Sequence, residues 1–125
     1  MNVPLSTFHF PLKDVPSTVI RVGHTPDMDD AYMFFGIATD AIPLEGFQFE
    51  HVIEDIQALN RRALRAELDV TAISAASYPK LSKDYWILSV GSSVGRGYGP
   101  LVISRQACDP GDLRGRRIAI PGLQT

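Results

Sequence analysis

Short β-branched runs alternate with helical stretches along this chain, and several runs end on a polar or flexible residue. They are Val19-Ile20-Arg21-Val22-Gly23-His24-Thr25-Pro26, Asp69-Val70-Thr71-Ala72-Ile73-Ser74 and Ile118-Ala119-Ile120-Pro121-Gly122. Strands joined through helices pair in parallel, and the helices then cover both faces of the sheet. A small molecule reaches such a sheet at the carboxyl ends of its strands, where loops and helix N-termini converge. The expected fold class is therefore α/β with a mostly parallel sheet, and the expected ligand crevice lies along that edge.

The pattern sets a β-α-β-α order from Ser17 onward. A strand is expected over 18–23, then a turn at Thr25-Pro26-Asp27 and a mostly buried helix from Asp29 to Ala38, with Ala31, Met33, Phe34, Phe35 and Ile37 inward. Gly46 to Val52 alternates with period two and reads as a strand; Glu54 to Ala66 is amphipathic, with Ile56, Leu59, Ala63 and Leu64 inside and Arg61, Arg62 and Arg65 solvated. Asp69 to Ser74 reads as a central strand, followed by a short helix opening at Ala75. Further strands are expected at Tyr85–Val90, Pro100–Ser104 and Arg117–Gly122. Residues 1–17, with three prolines and no periodicity, read as an N-terminal arm. Residues 18–104 make a first α/β lobe, and 105–125 a hinge with the first strand of a second lobe that is cut short at Thr125. The stub at 116–125 is expected to be loosely held, because a strand with few partners leaves its backbone groups exposed.

Composition narrows the partners. A formal net charge of -2 gives no electrostatic reason to bind nucleic acid or anionic lipid. Cys108 stands alone, so the chain forms no internal disulfide and offers no thiolate cluster for a metal, which suits a reducing, cytoplasmic setting. No apolar run has the length of a signal peptide or a membrane span. A small-molecule ligand is expected, with no metal, and a homodimer is an available assembly.

The candidate site residues lie at the expected strand ends. Thr25 and Asp30 flank a turn that runs into a helix, where backbone N–H groups favour an anionic ligand group. For Asp27, Asp29 and Asp30, helix capping is the favoured role, ligand contact the second and metal binding the last. An imidazole suits a general base or ligand donor at His24, although a structurally bonded histidine is the preferred reading. Ser74 either caps the next helix or hydrogen-bonds a ligand carboxylate; its placement at a strand end equivalent to those of His24 and Thr125 favours the second. Nothing around it resembles a nucleophile elbow. Gly91 to Gly99 lacks the spacing of a phosphate loop, and Arg96 within it either clamps a carboxylate or is solvated.

Four segments together resemble the MqnA/MqnD family of the futalosine route to menaquinone: Val22-Gly23-His24-Thr25-Pro26-Asp27-Met28-Asp29-Asp30, Glu54 to Asn60, Ile73-Ser74-Ala75-Ala76-Ser77-Tyr78, and Gly95-Arg96-Gly97-Tyr98-Gly99-Pro100-Leu101-Val102. The likeness runs from about Ile20 to Thr125 and is nearer to the 1,4-dihydroxy-6-naphthoate synthase branch than to the chorismate dehydratase branch. It implies a two-lobed fold like a type 2 periplasmic binding protein, of which this chain is the first lobe and the start of the second. It also implies a lyase that converts cyclic dehypoxanthinyl futalosine to 1,4-dihydroxy-6-naphthoate and dihydroxyacetone without a cofactor.

By position, Ser74 matches the family's first-lobe ligand-binding serine and Thr125 its second-lobe threonine. Asp30 matches the acidic residue of a Pro-Asn-Asp turn in which this chain has Asp29 for asparagine. His24 stands where relatives often carry an aromatic or apolar residue. The family's catalytic histidine lies further along the second lobe, and His9, His24 and His51 match no such position, so the expected site is Ser74, Thr125, Asp30, Thr25 and Arg96 with no catalytic residue assigned, and the chain by itself is expected to be inactive. The alternatives are a chorismate dehydratase-type enzyme and a non-enzymatic solute-binding protein on the same scaffold.

Overall fold

The computed structural model describes residues 18–125; the arm expected over 1–17, and His9 with it, lies outside the described residues. The elements run β1 (Thr18–His24), α1 (Met28–Ala38), β2 (Phe47–Ile53), α2 (Ile56–Ala63), β3 (Val70–Thr71) and, after a 3-10 turn at Ala75–Ser77, α3 (Tyr78–Leu81). A further 3-10 turn covers Pro110–Leu113. The sheet has three strands in the order β2-β1-β3, with both pairings parallel, as crossover connections demand.

Period-two alternation along β1 sorts its side chains between two helices. Val22 and His24 face α1, where the Phe34 ring stacks on the His24 imidazole at 4.8 Å. Gly23 faces α2, and a Cβ there would lie 2.6 Å from Leu68 Cδ1 and 2.9 Å from both Leu59 Cδ2 and Thr71 Oγ1. Glycine in mid-strand thus lets α2 and the chain entering β3 close over the sheet. Val22, Leu59, Ala63, Leu68 and Leu81 form the buried apolar core.

Helix ends follow from local chemistry. Asp55 caps α2 by accepting from Gln57 N and Ala58 N, both at 3.0 Å. The expected extension of α2 to Ala66 stops at Ala63, because Ala66 takes a left-handed conformation, φ 51°, that closes the last turn.

Three expectations need correction. Helix α1 is not mostly buried: only Asp30 is, while Ala31 and Phe35 are exposed, since the sheet covers one face of the helix and leaves the other to solvent. The strand expected over 69–74 shrinks to two residues, although Asp69 N to Arg21 O and Ala72 N to Gly23 O extend its bonding to β1. The segments 85–90, 100–104 and 117–122 form no strand among the described residues. Their apolar patterns are right for strands, but a ladder needs a neighbouring edge. Both edges of β1 are taken and β3 offers a fourth strand only two residues, while the free outer edge of β2 is paired by none of these segments. Tyr85 is anchored by its hydroxyl donating to Leu68 O at 2.7 Å, and residues 86–112 are exposed.

Candidate functional site

The parallel register brings the exits of β1 and β3 to one edge, since Gly23 pairs with Thr71 and the chain passes from there to Thr25 on one strand and Ser74 on the other. Thr25 and Asp30 are committed to each other. Thr25 N and Thr25 Oγ1 both donate to Asp30 Oδ2, at 2.6 and 2.9 Å, and both residues are buried. Asp30 therefore closes the β1–α1 turn, while Asp27, the residue before α1, makes no side-chain bond to the helix N-terminus. Asp29 is held below the usual carboxylate range by the Ser93 hydroxyl and then by the Asp30 backbone N–H. Among the described residues no three His, Cys, Asp or Glu side chains are grouped to hold a metal ion, and no helix is long and apolar enough to cross a membrane.

His24 is also internally satisfied. A carbonyl oxygen only accepts, so His24 Nδ1 carries the proton shared with Thr25 O at 3.1 Å, and His24 Nε2 shares a hydrogen bond with His51 Nδ1 at 3.0 Å. Burial, followed by the facing His24, depresses the pKa of His51. The pair links β1 to β2 and leaves His24 no ring nitrogen for a ligand.

Ser74 does not cap the turn that follows it, since its side chain makes no cap bond. It is held by Asn60 instead: Ser74 N donates to Asn60 Oδ1 at 3.0 Å and Asn60 Nδ2 donates to Ser74 Oγ at 3.1 Å. Because Oγ accepts that bond, the hydroxyl proton is left to donate in another direction.

The segment before Thr125 docks on the same cluster. Gln124 O accepts from Asn60 Nδ2 at 3.2 Å and Ser77 Oγ at 2.6 Å, Gln124 N donates to Gln57 Oε1 at 3.2 Å, and the two glutamine side chains bond each other. The loosely held stub is thus corrected at its end: its backbone is gripped by buried side chains, although Thr125 itself is exposed and bonds Gly122 O. Thr125 follows directly on the residue bonded to Asn60, which brings it beside the Ser74 cluster. No hydrogen bond joins the Thr25–Asp30 turn to Ser74. Arg96 sits in an exposed segment without ion pair or hydrogen bond among the described residues.

Gln57, Asn60 and Ser77 received no role from the sequence. Their signal is the placement of Gln57 and Asn60, three apart, beside Leu59 and Ala63 on the inner face of α2. A carboxamide turned toward a core is retained where the backbone it satisfies must be held. Two shallow hollows lie elsewhere, one lined by Ile37, Leu44, Phe47, Phe49 and His51, the other by Asp29, Tyr32, Met33 and Gly91 to Ser93.

Comparison with known proteins gives consistent matches. A family model described as menaquinone biosynthesis matches residues 20–125. A 1,4-dihydroxy-6-naphthoate synthase of Thermus thermophilus is 36% identical over 110 residues, covering 85% of this chain and 38% of that protein. One from Streptomyces coelicolor is 35% identical over 102 residues, covering 82% of this chain and 35% of that protein. The chain therefore spans little more than a third of the curated relatives it matches. A crystal structure of an Archaeoglobus fulgidus protein superposes with a TM-score of 0.61 at 54% identity, covering 65% of this chain and 30% of that one.

Proposed function

The chain belongs to the menaquinone biosynthesis family, and on that premise we propose that it forms the substrate-holding first lobe of a 1,4-dihydroxy-6-naphthoate synthase-like lyase. The reaction converts cyclic dehypoxanthinyl futalosine to 1,4-dihydroxy-6-naphthoate and dihydroxyacetone, without a cofactor, in the cytoplasm. The architecture is that of a type 2 periplasmic binding protein, with residues 18–104 as the first lobe and 105–125 as the hinge and entry to a second.

The observation that carries this reading is that Asn60 bonds both Ser74 and the backbone of Gln124, the residue before Thr125, at the carboxyl edge of the sheet. Ser74 donates its hydroxyl proton to a substrate oxygen, and Thr125 meets the substrate from the segment leading to the second lobe. Thr25 and Asp30 shape the rim, and Arg96 supplies a cation from the glycine-rich segment. Two segments meeting on one ligand orient it and exclude water when the cleft closes. The general base comes from outside this chain.

The test is to supply the complete gene product containing this chain with cyclic dehypoxanthinyl futalosine and to follow both products. Equal amounts of the naphthoate and dihydroxyacetone are expected. Dehydration of chorismate in place of that reaction overturns the branch assignment, and binding without turnover overturns the enzymatic reading in favour of solute binding.

A further inference from the structure

Building on the reading of Ser74 and Thr125 as substrate contacts, we propose that Asn60 is a positioning residue that sets both of them. It directs the Ser74 hydroxyl proton toward substrate and anchors the segment carrying Thr125. Asn60 is fully buried on α2, so its carboxamide meets only protein groups. Its oxygen fixes the Ser74 backbone N–H, and its nitrogen donates both to Ser74 Oγ and to Gln124 O.

The donor is what matters at Ser74. A hydroxyl that accepts from an N–H keeps its own proton for another acceptor, whereas one facing an acceptor spends the proton there. At Gln124 the same nitrogen works with Gln57 and Ser77, which hold the amide N–H and reinforce the hold on the carbonyl. Gly122 completes the arrangement, because a Cβ at that position would collide with the Gln57 side chain. One buried side chain thus couples the exit of β3 to a segment from a distant part of the sequence.

Asn60→Asp isolates the donor: it retains the oxygen that holds Ser74 N–H and replaces the N–H donors with a carboxylate. That carboxylate captures the Ser74 proton and repels Gln124 O. In the complete gene product KM for cyclic dehypoxanthinyl futalosine rises roughly tenfold or more, the size of a lost hydrogen bond, while kcat changes by less than about threefold. Acidification restores affinity, because the buried carboxyl regains a donor when protonated. Ser77→Ala, a milder change, raises KM in the same direction without the pH effect.

Unchanged KM in a folded Asn60→Asp variant, or a KM defect equal at all pH values, overturns the proposal. Amide hydrogen exchange in this chain separates the proposal from the functional reading. Asn60→Asp, or Ser77→Ala should that variant fail to fold, accelerates exchange at Gln124 and leaves Ser74 protected. Exchange at Gln124 that matches the parent refutes the anchoring whether or not the parent turns over the substrate. A parent without turnover overturns the functional reading alone.

Discussion

Asp30 gives the sharpest energetic prediction, because its carboxylate holds the β1–α1 turn rather than an open crevice. Asp30 Oδ2 accepts from Thr25 N and Thr25 Oγ1, and the two residues are 6% and 8% exposed. A hydrogen bond to a charged group contributes about 1.5–3 kcal/mol, and truncation also strands the Thr25 N–H away from water. Partial rehydration of the vacated space offsets some of this loss. Asp30→Ala is therefore expected to destabilise the fold by about 2–4 kcal/mol, a fall of roughly 10–25 °C in melting temperature for a domain of this size.

Asp30→Asn keeps one acceptor oxygen and is expected to cost only about 1 kcal/mol. Urea unfolding followed by circular dichroism measures both variants. A midpoint for Asp30→Ala equivalent to the parent within about 0.5 kcal/mol, with only substrate affinity lowered, refutes the turn-closing role and returns Asp30 to direct ligand contact.

Other consequences are independent of that turn. Gly23→Ala pushes a methyl into Leu59, Leu68 and Thr71 and should lower stability by about 1–2 kcal/mol in the same unfolding assay. Ala66→Gly relieves a left-handed alanine and should raise it by about 0.5–1 kcal/mol, read as a higher midpoint at constant slope. The depressed pKa of His51 means that the unfolded chain binds the extra proton first as pH falls through 6.5, the ordinary histidine value. This contribution to stability is complete above that pH and is lost progressively toward the lower folded pKa; unfolding at pH 7.5 and 5.5 should show the fall, and His51→Gln should reduce it. Ser74→Ala in the complete gene product should raise KM by roughly fivefold or more, the consequence of one lost hydrogen bond to substrate, as measured by initial rates.

The readable part of this fold is its local periodicity. β1, α1 and β2 fall within a residue or so of the expected bounds because alternation and a turn signal mark each of them. The helical character of α2 was equally plain, but its end was not, since an alanine rather than a glycine supplies the left-handed closure. The later strands failed for a different reason. Trp86 to Val90 and Leu101 to Ile103 have strand composition, yet whether such a segment pairs is decided by its partners, which lie outside its own sequence.

The candidate site shows the same division. Ser74 and Thr25 were legible as residues at strand exits, whereas the hold of Asn60 on both Ser74 and Gln124 joins positions 14 and 64 residues apart. Such contacts arise from the packing of α2 over β1 and β3, and period alone marks them only as polar residues on an inward helix face. The bond between Thr25 and Asp30 is likewise a product of the backbone turning back on itself, which spacing alone does not show.

A crystal structure of the complete gene product with 1,4-dihydroxy-6-naphthoate bound tests the location of the substrate edge most directly. The ligand is expected within hydrogen-bond distance of Ser74 Oγ and against Thr125, with Asn60 still bridging Ser74 and Gln124. A ligand seated in the hollow lined by Ile37, Leu44, Phe47 and Phe49, with Ser74 and Thr125 untouched, contradicts the account.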